Sequence, residues 1–179
     1  KIMIKTIIFD FDGTIADTVC TAAAILNDLS TKYGYKKVTP QENEEMRDYT
    51  IQEMFQKKHV ALYKLPFMMI DVKKELSKHI ATLNPIKGMA NVLQELKKKD
   101  YKIGIITSNS KENVKRFLEN NNLDFFDYIY TGTTLFGKAR VIQGFLTKNN
   151  LSQDEVIYVG DEIRDIEATK KVGIPIIAV

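Results

Sequence analysis

The sequence predicts an α/β fold: a parallel β-sheet covered by helices on both faces, with a block of helices inserted after the first strand. Three observations carry this prediction. Short runs of β-branched and aromatic residues recur with little polar alternation, as strands buried on both faces require. Between them the apolar residues repeat at helical spacing, so strands and helices alternate. One interval, from about residue 15 to residue 83, breaks the rhythm and holds helical stripes but no convincing strand. A chain of 179 residues, 44% of them hydrophobic, can bury one core and carry such an insertion.

Taken in order, Ile4 to Phe11 reads as the first strand, and Lys102 to Thr107, Tyr128 to Thr131, Val156 to Val159 and Pro175 to Val179 as the other four. All but the shortest are expected to be buried on both faces. The helices between them follow from Met89, Val92, Leu93 and Leu96; from Val114, Phe117 and Leu118; from Val141, Ile142, Phe145 and Leu146; and from Ile163 and Ile166. Within the insertion, Ala22, Ile25, Leu26, Leu29 and Tyr33 form one helical stripe. Leu65, Met69, Val72, Leu76, Ile80 and Leu83 form a second, long one, with Pro66 where a first helical turn accepts it. Gly34 and Pro40 punctuate the middle and leave room for shorter helices around Gln41 to Asp48 and Ile51 to Lys58. The interval is far longer than the dozen or so residues a βαβ crossover needs. The expected division is therefore 1–14 with 84–179 as the sheet domain, and 15–83 as a helical domain.

Composition narrows the function classes. The net charge of +3 is spread over short lysine pairs and triplets, such as Lys36-Lys37 and Lys97-Lys98-Lys99, which read as solvated helix faces and not as a nucleic-acid footprint. Cys20 stands alone, so no intrachain disulfide forms and thiolate-rich zinc sites are excluded. A reducing cytoplasm is the expected location. No apolar stretch approaches the length of a membrane span, and the start has no small-residue cleavage pattern. The start at Lys1 without Met, and the stop at Val179 directly after a strand, suggest a trimmed chain.

The strand ends carry the chemistry. TIIFDFDGT places Asp10 and Asp12 at the carboxyl end of the first strand, where open parallel sheets bind ligands. Two neighbouring carboxylates repel unless a cation or a shared proton compensates, and oxygen ligands of this kind suit Mg²⁺. Alone, Asp12-Gly13 would read as a turn dipeptide. IGIITSNS ends the second strand in Thr107, Ser108 and Asn109, groups that can hold phosphate oxygens or cap the helix near Lys111. LFGKAR puts Lys138 at the start of a helix, where a cation opposes the helix dipole and so does not serve local stability, with a solvated surface lysine as the alternative. VIYVGDEIRD sets Asp161 at the tip of the fourth strand, where it could also be a helix cap, and Asp165 one helical turn later.

In this chain order the four stretches resemble the motifs of the haloacid dehalogenase-like superfamily: DxDGT, a Thr or Ser after an apolar strand, a Lys, and GDxxxD. The resemblance covers essentially the whole chain. It implies a Rossmann-like core with a five-stranded parallel sheet. The helical insertion looks like the small cap of subfamily I, which contains phosphoglycolate phosphatases and β-phosphoglucomutases, and GYKKVTPQENEEMRDYTIQEMF is similar in character to the cap segment of the phosphoglycolate phosphatase-like group. The resemblance further implies that Asp10 attacks phosphorus and becomes an aspartyl phosphate, and that Asp12 is the general acid–base. Mg²⁺ would be held by Asp10, the Asp12 backbone carbonyl and Asp161, with Asp165 in support. Thr107 and the N–H groups of Ser108 and Asn109 would hold the phosphoryl oxygens, Lys138 would offset charge, and Gly13 would relieve crowding in the loop. Arg47 is singled out as a substrate contact, with a solvated surface arginine as the alternative.

The implied activity is hydrolysis of a small phosphorylated metabolite, phosphoglycolate-like or a sugar phosphate, with no nucleic-acid or membrane partner. Dehalogenation is disfavoured because it needs neither Asp12 nor a metal. A phosphomutase of the β-phosphoglucomutase type, and a phospho-accepting signalling receiver, are the alternatives; the insertion and the Asp10/Asp12 pair count against the receiver. The chain departs from the family pattern at Ala139, where Pro commonly follows the lysine, and at NPIKGM, where relatives usually have Pro-Gly. The sequence does not disclose the oligomeric state.

Overall fold

The computed structural model describes residues 3–39, 41–42, 51–132 and 137–179. The five apolar runs form strands β1 (Thr6–Phe9), β2 (Lys102–Ile106), β3 (Tyr128–Tyr130), β4 (Val156–Gly160) and β5 (Ile176–Ala178). All pairings are parallel, in the order β3-β2-β1-β4-β5, which is the Rossmann-like α/β arrangement the sequence predicts. The order reverses at β1, whose neighbours β2 and β4 lead away to opposite sides. The crevice at its carboxyl end is therefore the place where such sheets bind ligands.

Helices α4 (Met89–Lys98), α5 (Lys111–Asn120), α6 (Lys138–Asn149) and α7 (Ile163–Val172) connect the strands. Strand alternation splits the central strands between two faces. On one, Ile8, Ile106, Val156 and Tyr158 pack with Ile142, Phe145 and Leu146 of α6 and with Ala168 and Val172 of α7. On the other, α4 packs against β2, and Phe117 of α5 meets Phe11 edge to face at 5.1 Å. Burial on both faces explains why β1, β2 and β4 read as unbroken apolar runs. At the sheet edge the expectation fails: β5, paired among the described residues with β4 alone, is largely exposed, with Ile177 at 49%.

The chain divides into two compact units, Lys1–Thr18 with Ile80–Val179, and Val19–His79. Ile15 to Thr18 and Ile80 to Leu83 thus go with the sheet unit. Their backbone explains it: Asp17 N–H donates to the Asn84 carbonyl at 3.0 Å and Ile86 N–H to the Ile15 carbonyl at 2.9 Å, tying the two crossing segments together. The long stripe expected from Leu65 to Leu83 is accordingly two pieces. The helix ends at His79, and Ile80–Thr82 is a 3₁₀ turn of the sheet unit.

The other unit contains α1 (Val19–Tyr33), α2 (Ile51–Lys57) and α3 (Leu65–His79). Tyr33, Phe55, Val60 and Met68 form its core, with Tyr35 edge to face on Phe55 at 5.6 Å. Met68, not Met69, is the fully buried methionine of α3, sharing a face with Val72 and Leu76. The helix expected at Gln41 to Asp48 lies largely outside the described residues. No helix among the described residues is long and apolar enough to cross a membrane.

Candidate active site

The segment after β1 turns back sharply. Ile15 and Ala16 N–H groups both donate to the Phe11 carbonyl, at 3.0 and 2.9 Å, so Asp12, Gly13 and Thr14 form a tight loop at the strand's carboxyl end. Phe11, packed on α5, anchors the loop from below and leaves Asp10 and Asp12 on either side of it. Asp10 is 3% exposed. Its Oδ1 accepts from the Phe11 N–H at 2.8 Å and its Oδ2 from Lys138 Nζ at 2.9 Å. Burial pushes its carboxyl up to about 6; Lys138 pulls it down, and neighbouring Asp165 adds to the rise.

Lys138 opens α6, only 5% exposed, and its ammonium also donates to Asp165 Oδ1. Asp165, in the first turn of α7, is fully buried, so one lysine sits between two buried carboxylates. The ring of Tyr158 lies 5.6 Å from Nζ, and its hydroxyl donates to the Ile106 carbonyl at 3.2 Å. Gly160 makes this packing feasible: a Cβ there would stand 2.4 Å from Asp165 Oδ2. Asp10, Glu162 and Asp165 each offer a carboxylate oxygen, all within 4.8 Å of one another. Hard oxygen donors of this kind, more acidic than one lysine neutralises, fit a divalent cation such as Mg²⁺.

Asp161 faces the β1 loop. Its Oδ1 accepts from Thr14 Oγ1 at 2.8 Å, and its Oδ2 lies where a Cβ on Gly13 would come within 2.2 Å. Gly13 has φ +77°, so both backbone conformation and space call for glycine here.

At the end of β2, Thr107 is fully buried and its Oγ1 accepts from the Asn109 N–H at 3.0 Å. That N–H, expected to face a phosphoryl oxygen, is thus spent within the turn. The Asn109 carboxamide instead reaches Asp12, with Nδ2 3.1 Å from each carboxylate oxygen. Ser108 is half-buried beside them. Ser110 caps α5 by accepting from the Asn113 N–H at 3.2 Å.

The fold therefore gathers Asp10, Asp12, Gly13, Thr107, Ser108, Asn109, Lys138, Asp161 and Asp165 at the carboxyl ends of three adjacent strands and the starts of α6 and α7. Lys138 reaches Asp10 although Ala139, and not Pro, follows it. Arg47 lies outside the described residues. Sequence reasoning passed over Thr14, Tyr158, Glu162 and Asn113. Thr14 and Glu162 were visible as polar neighbours of motif aspartates; nothing in the sequence marks Tyr158 or Asn113.

The chain matches the family model of haloacid dehalogenase-like hydrolases over residues 7–179. It is similar to a phosphoglycolate phosphatase of Synechococcus elongatus, 29% identical over 98% of this chain and 83% of the relative. It is also similar to the pyrophosphatase PpaX of Listeria welshimeri, 24% identical over 93% of this chain and 79% of that protein. Among solved structures, a haloacid dehalogenase-like family hydrolase of Streptococcus pneumoniae shares the fold with a TM-score of 0.76, 21% identity, and coverage of 98% of this chain and 84% of its own. The family match spans nearly the whole chain: the chain belongs to the haloacid dehalogenase-like hydrolases.

Proposed function

We propose that this protein is a Mg²⁺-dependent phosphatase that hydrolyses a small phosphomonoester metabolite, phosphoglycolate-like or a sugar phosphate, through an aspartyl phosphate on Asp10. The observation that carries the reading is the Asp10 carboxylate: buried just past the end of β1 and compensated by Lys138 at 2.9 Å. A surface aspartate in a turn would need neither burial nor a lysine. Asp10, Asp161 and the Asp12 carbonyl would hold the metal, with Glu162 and Asp165 adjoining. When bound, the metal supplies positive charge that lets an anionic nucleophile approach an anionic phosphate.

The chain's own residues divide the rest of the work. An Asp10 oxygen attacks phosphorus while the bond to the leaving oxygen breaks, and that oxygen takes the proton of the Asp12 carboxyl. Asp12, now a carboxylate, takes a proton from water as the water oxygen bonds to phosphorus and Asp10 departs. The Thr107 hydroxyl, which accepts from Asn109, keeps its own proton to donate to a phosphoryl oxygen. Lys138 offsets the charge of Asp10 and the phosphoryl group.

Phosphate release from a panel of small phosphorylated metabolites, with Mg²⁺ and after metal stripping in excess EDTA, tests the reading. Turnover is expected on at least one ester and is lost with the chelator. Full turnover by the stripped protein in EDTA would refute metal dependence, and silence across the panel with Mg²⁺ would refute the substrate class.

A further inference from the structure

We propose that Asn113 is a positioning residue for the proton carrier: it locks the Asn109 carboxamide in the one orientation that anchors Asp12. The inference rests on the reading of Asp12 as general acid–base given above. An asparagine side chain presents a donor and an acceptor of nearly the same shape, so its neighbours decide which end points where. For Asn109 the decision is unambiguous. Its Oδ1 accepts from the Ser110 backbone N–H at 2.8 Å, a group that can only donate, and from Asn113 Nδ2 at 2.9 Å. With its oxygen held by two donors, the amide must turn its NH₂ outward. There Nδ2 lies 3.1 Å from both Asp12 oxygens. The chain of contacts therefore runs from the first turn of α5, through Asn109, to the carboxylate that opens the loop after β1.

The functional consequence follows from what Asp12 must do. In the first step it gives its proton to the leaving oxygen, and in the second it removes one from water, so its carboxyl must occupy one place in both. The tight loop around Gly13 positions its backbone, but the side chain can still rotate. Asn109 restrains that rotation, and Asn113 restrains Asn109. Asn113 is anchored in turn: its own N–H donates to the Ser110 hydroxyl at 3.2 Å, which seats it in the capped first turn of α5. The residue is thus tied to a rigid element on one side and to the acid–base on the other.

The test uses full-length protein with Mg²⁺ and two kinds of ester: an alkyl phosphate, whose leaving group needs a proton, and p-nitrophenyl phosphate, whose leaving group does not. Asn113→Leu is expected to lower kcat on the alkyl phosphate about tenfold, a part of the 10²–10⁴ that general acid–base catalysis contributes, with KM within about twofold. On p-nitrophenyl phosphate the first turnover should hold its rate while later ones slow, so the variant shows a burst of phenolate that the wild type lacks. A residue that only supports folding would slow both esters alike and give no burst. Asn113→Ser, whose hydroxyl is too short to reach Asn109 yet suits a first helical turn, should behave the same way and guards against misfolding of the leucine variant. In an Asp12→Asn background, Asn113→Leu should add less than twofold, since the group it positions is already disabled. Wild-type kinetics for both Asn113 variants, or a first turnover slowed equally on both esters with no phenolate burst, would overturn the inference while leaving the phosphatase reading intact. Wild-type turnover of the alkyl phosphate by Asp12→Asn alone would overturn the acid–base reading itself.

Discussion

Gly13→Ala separates backbone strain from catalytic geometry, because the structure supplies its own control. Gly13 has φ +77° and Gly88 has φ +88°, so alanine at either position costs about 1–2 kcal/mol in a left-handed conformation. The surroundings differ. A Cβ on Gly88 meets nothing within 4 Å, whereas one on Gly13 would stand 2.2 Å from Asp161 Oδ2, where contacts under 3.0 Å essentially never occur. The Asp161 carboxylate must therefore retreat by about 0.8 Å, the difference of those two distances, and its bond from Thr14 Oγ1 stretches or breaks. A misplacement of about 1 Å at a reacting centre can cost about 10²-fold. The expected outcome is greater destabilisation of Gly13→Ala than of Gly88→Ala in urea unfolding, by about 1 kcal/mol for the disturbed Thr14–Asp161 bond, near-wild-type kcat/KM for Gly88→Ala, and a loss of about 10–100-fold for Gly13→Ala that excess Mg²⁺ partly restores. Equal kcat/KM for the two variants would refute the claim that Asp161 must occupy its place beside the β1 loop.

Two further substitutions probe the electrostatics. Lys138→Met removes the ammonium between Asp10 and Asp165, which should abolish turnover and destabilise the metal-free protein by about 3–5 kcal/mol at pH 8. Asp10, already pushed up to about 6 by burial with Lys138 opposing it, then takes a proton more readily, so the loss should be smaller at pH 5; equal losses at the two pH values would count against the buried pair. Asp127→Asn addresses acid stability. Partial burial pushes Asp127 up, but bonds from Lys97 at 2.8 Å, the Ile103 N–H at 3.0 Å and Lys102 at 2.9 Å win and bring it to about 2. Its stabilisation is present above the ordinary carboxylate range near 4 and is lost as pH falls through about 2. The variant should therefore cost about 1–2 kcal/mol at pH 7, discounted for the exposed lysines, and the gap to wild type should close in denaturant curves taken toward pH 2.

Much of this molecule is legible in its sequence, and the parts that are not share a cause. β1, β2 and β4 are readable because burial on both faces forces unbroken apolar runs, and Asp10, Thr107 and Asp161 are readable because each sits where such a run stops. Lys138 is readable because a lysine at a helix start works against the dipole. The edge strand β5 misleads, since its apolar residues look like those of a central strand, yet among the described residues it pairs with β4 alone. Met68 and Met69 are indistinguishable by type, and only the packing of α3 against α1 tells which faces inward. The stripe from Leu65 to Leu83 keeps helical spacing across His79, although hydrogen bonds to a distant part of the chain assign its end to the sheet unit. Asn113 and Tyr158 are ordinary residues of a helix and a strand; their significance comes from what lies beside them in space, here Asn109 and Lys138.

The central claim is that Asp10 carries the phosphoryl group between two steps served by Asp12. Its most direct measurement is acid-quenched mass spectrometry of the Asp12→Asn protein after reaction with p-nitrophenyl phosphate and Mg²⁺. The aryl leaving group departs without a proton, so the first step proceeds, and no base then activates water against the intermediate. The account predicts an added phosphoryl mass on the peptide that contains Asp10, accompanied by one equivalent of phenolate, and neither in an Asp10→Asn control. A phosphoryl group on another residue, or phenolate release by Asp10→Asn at the rate of the intact enzyme, would contradict it.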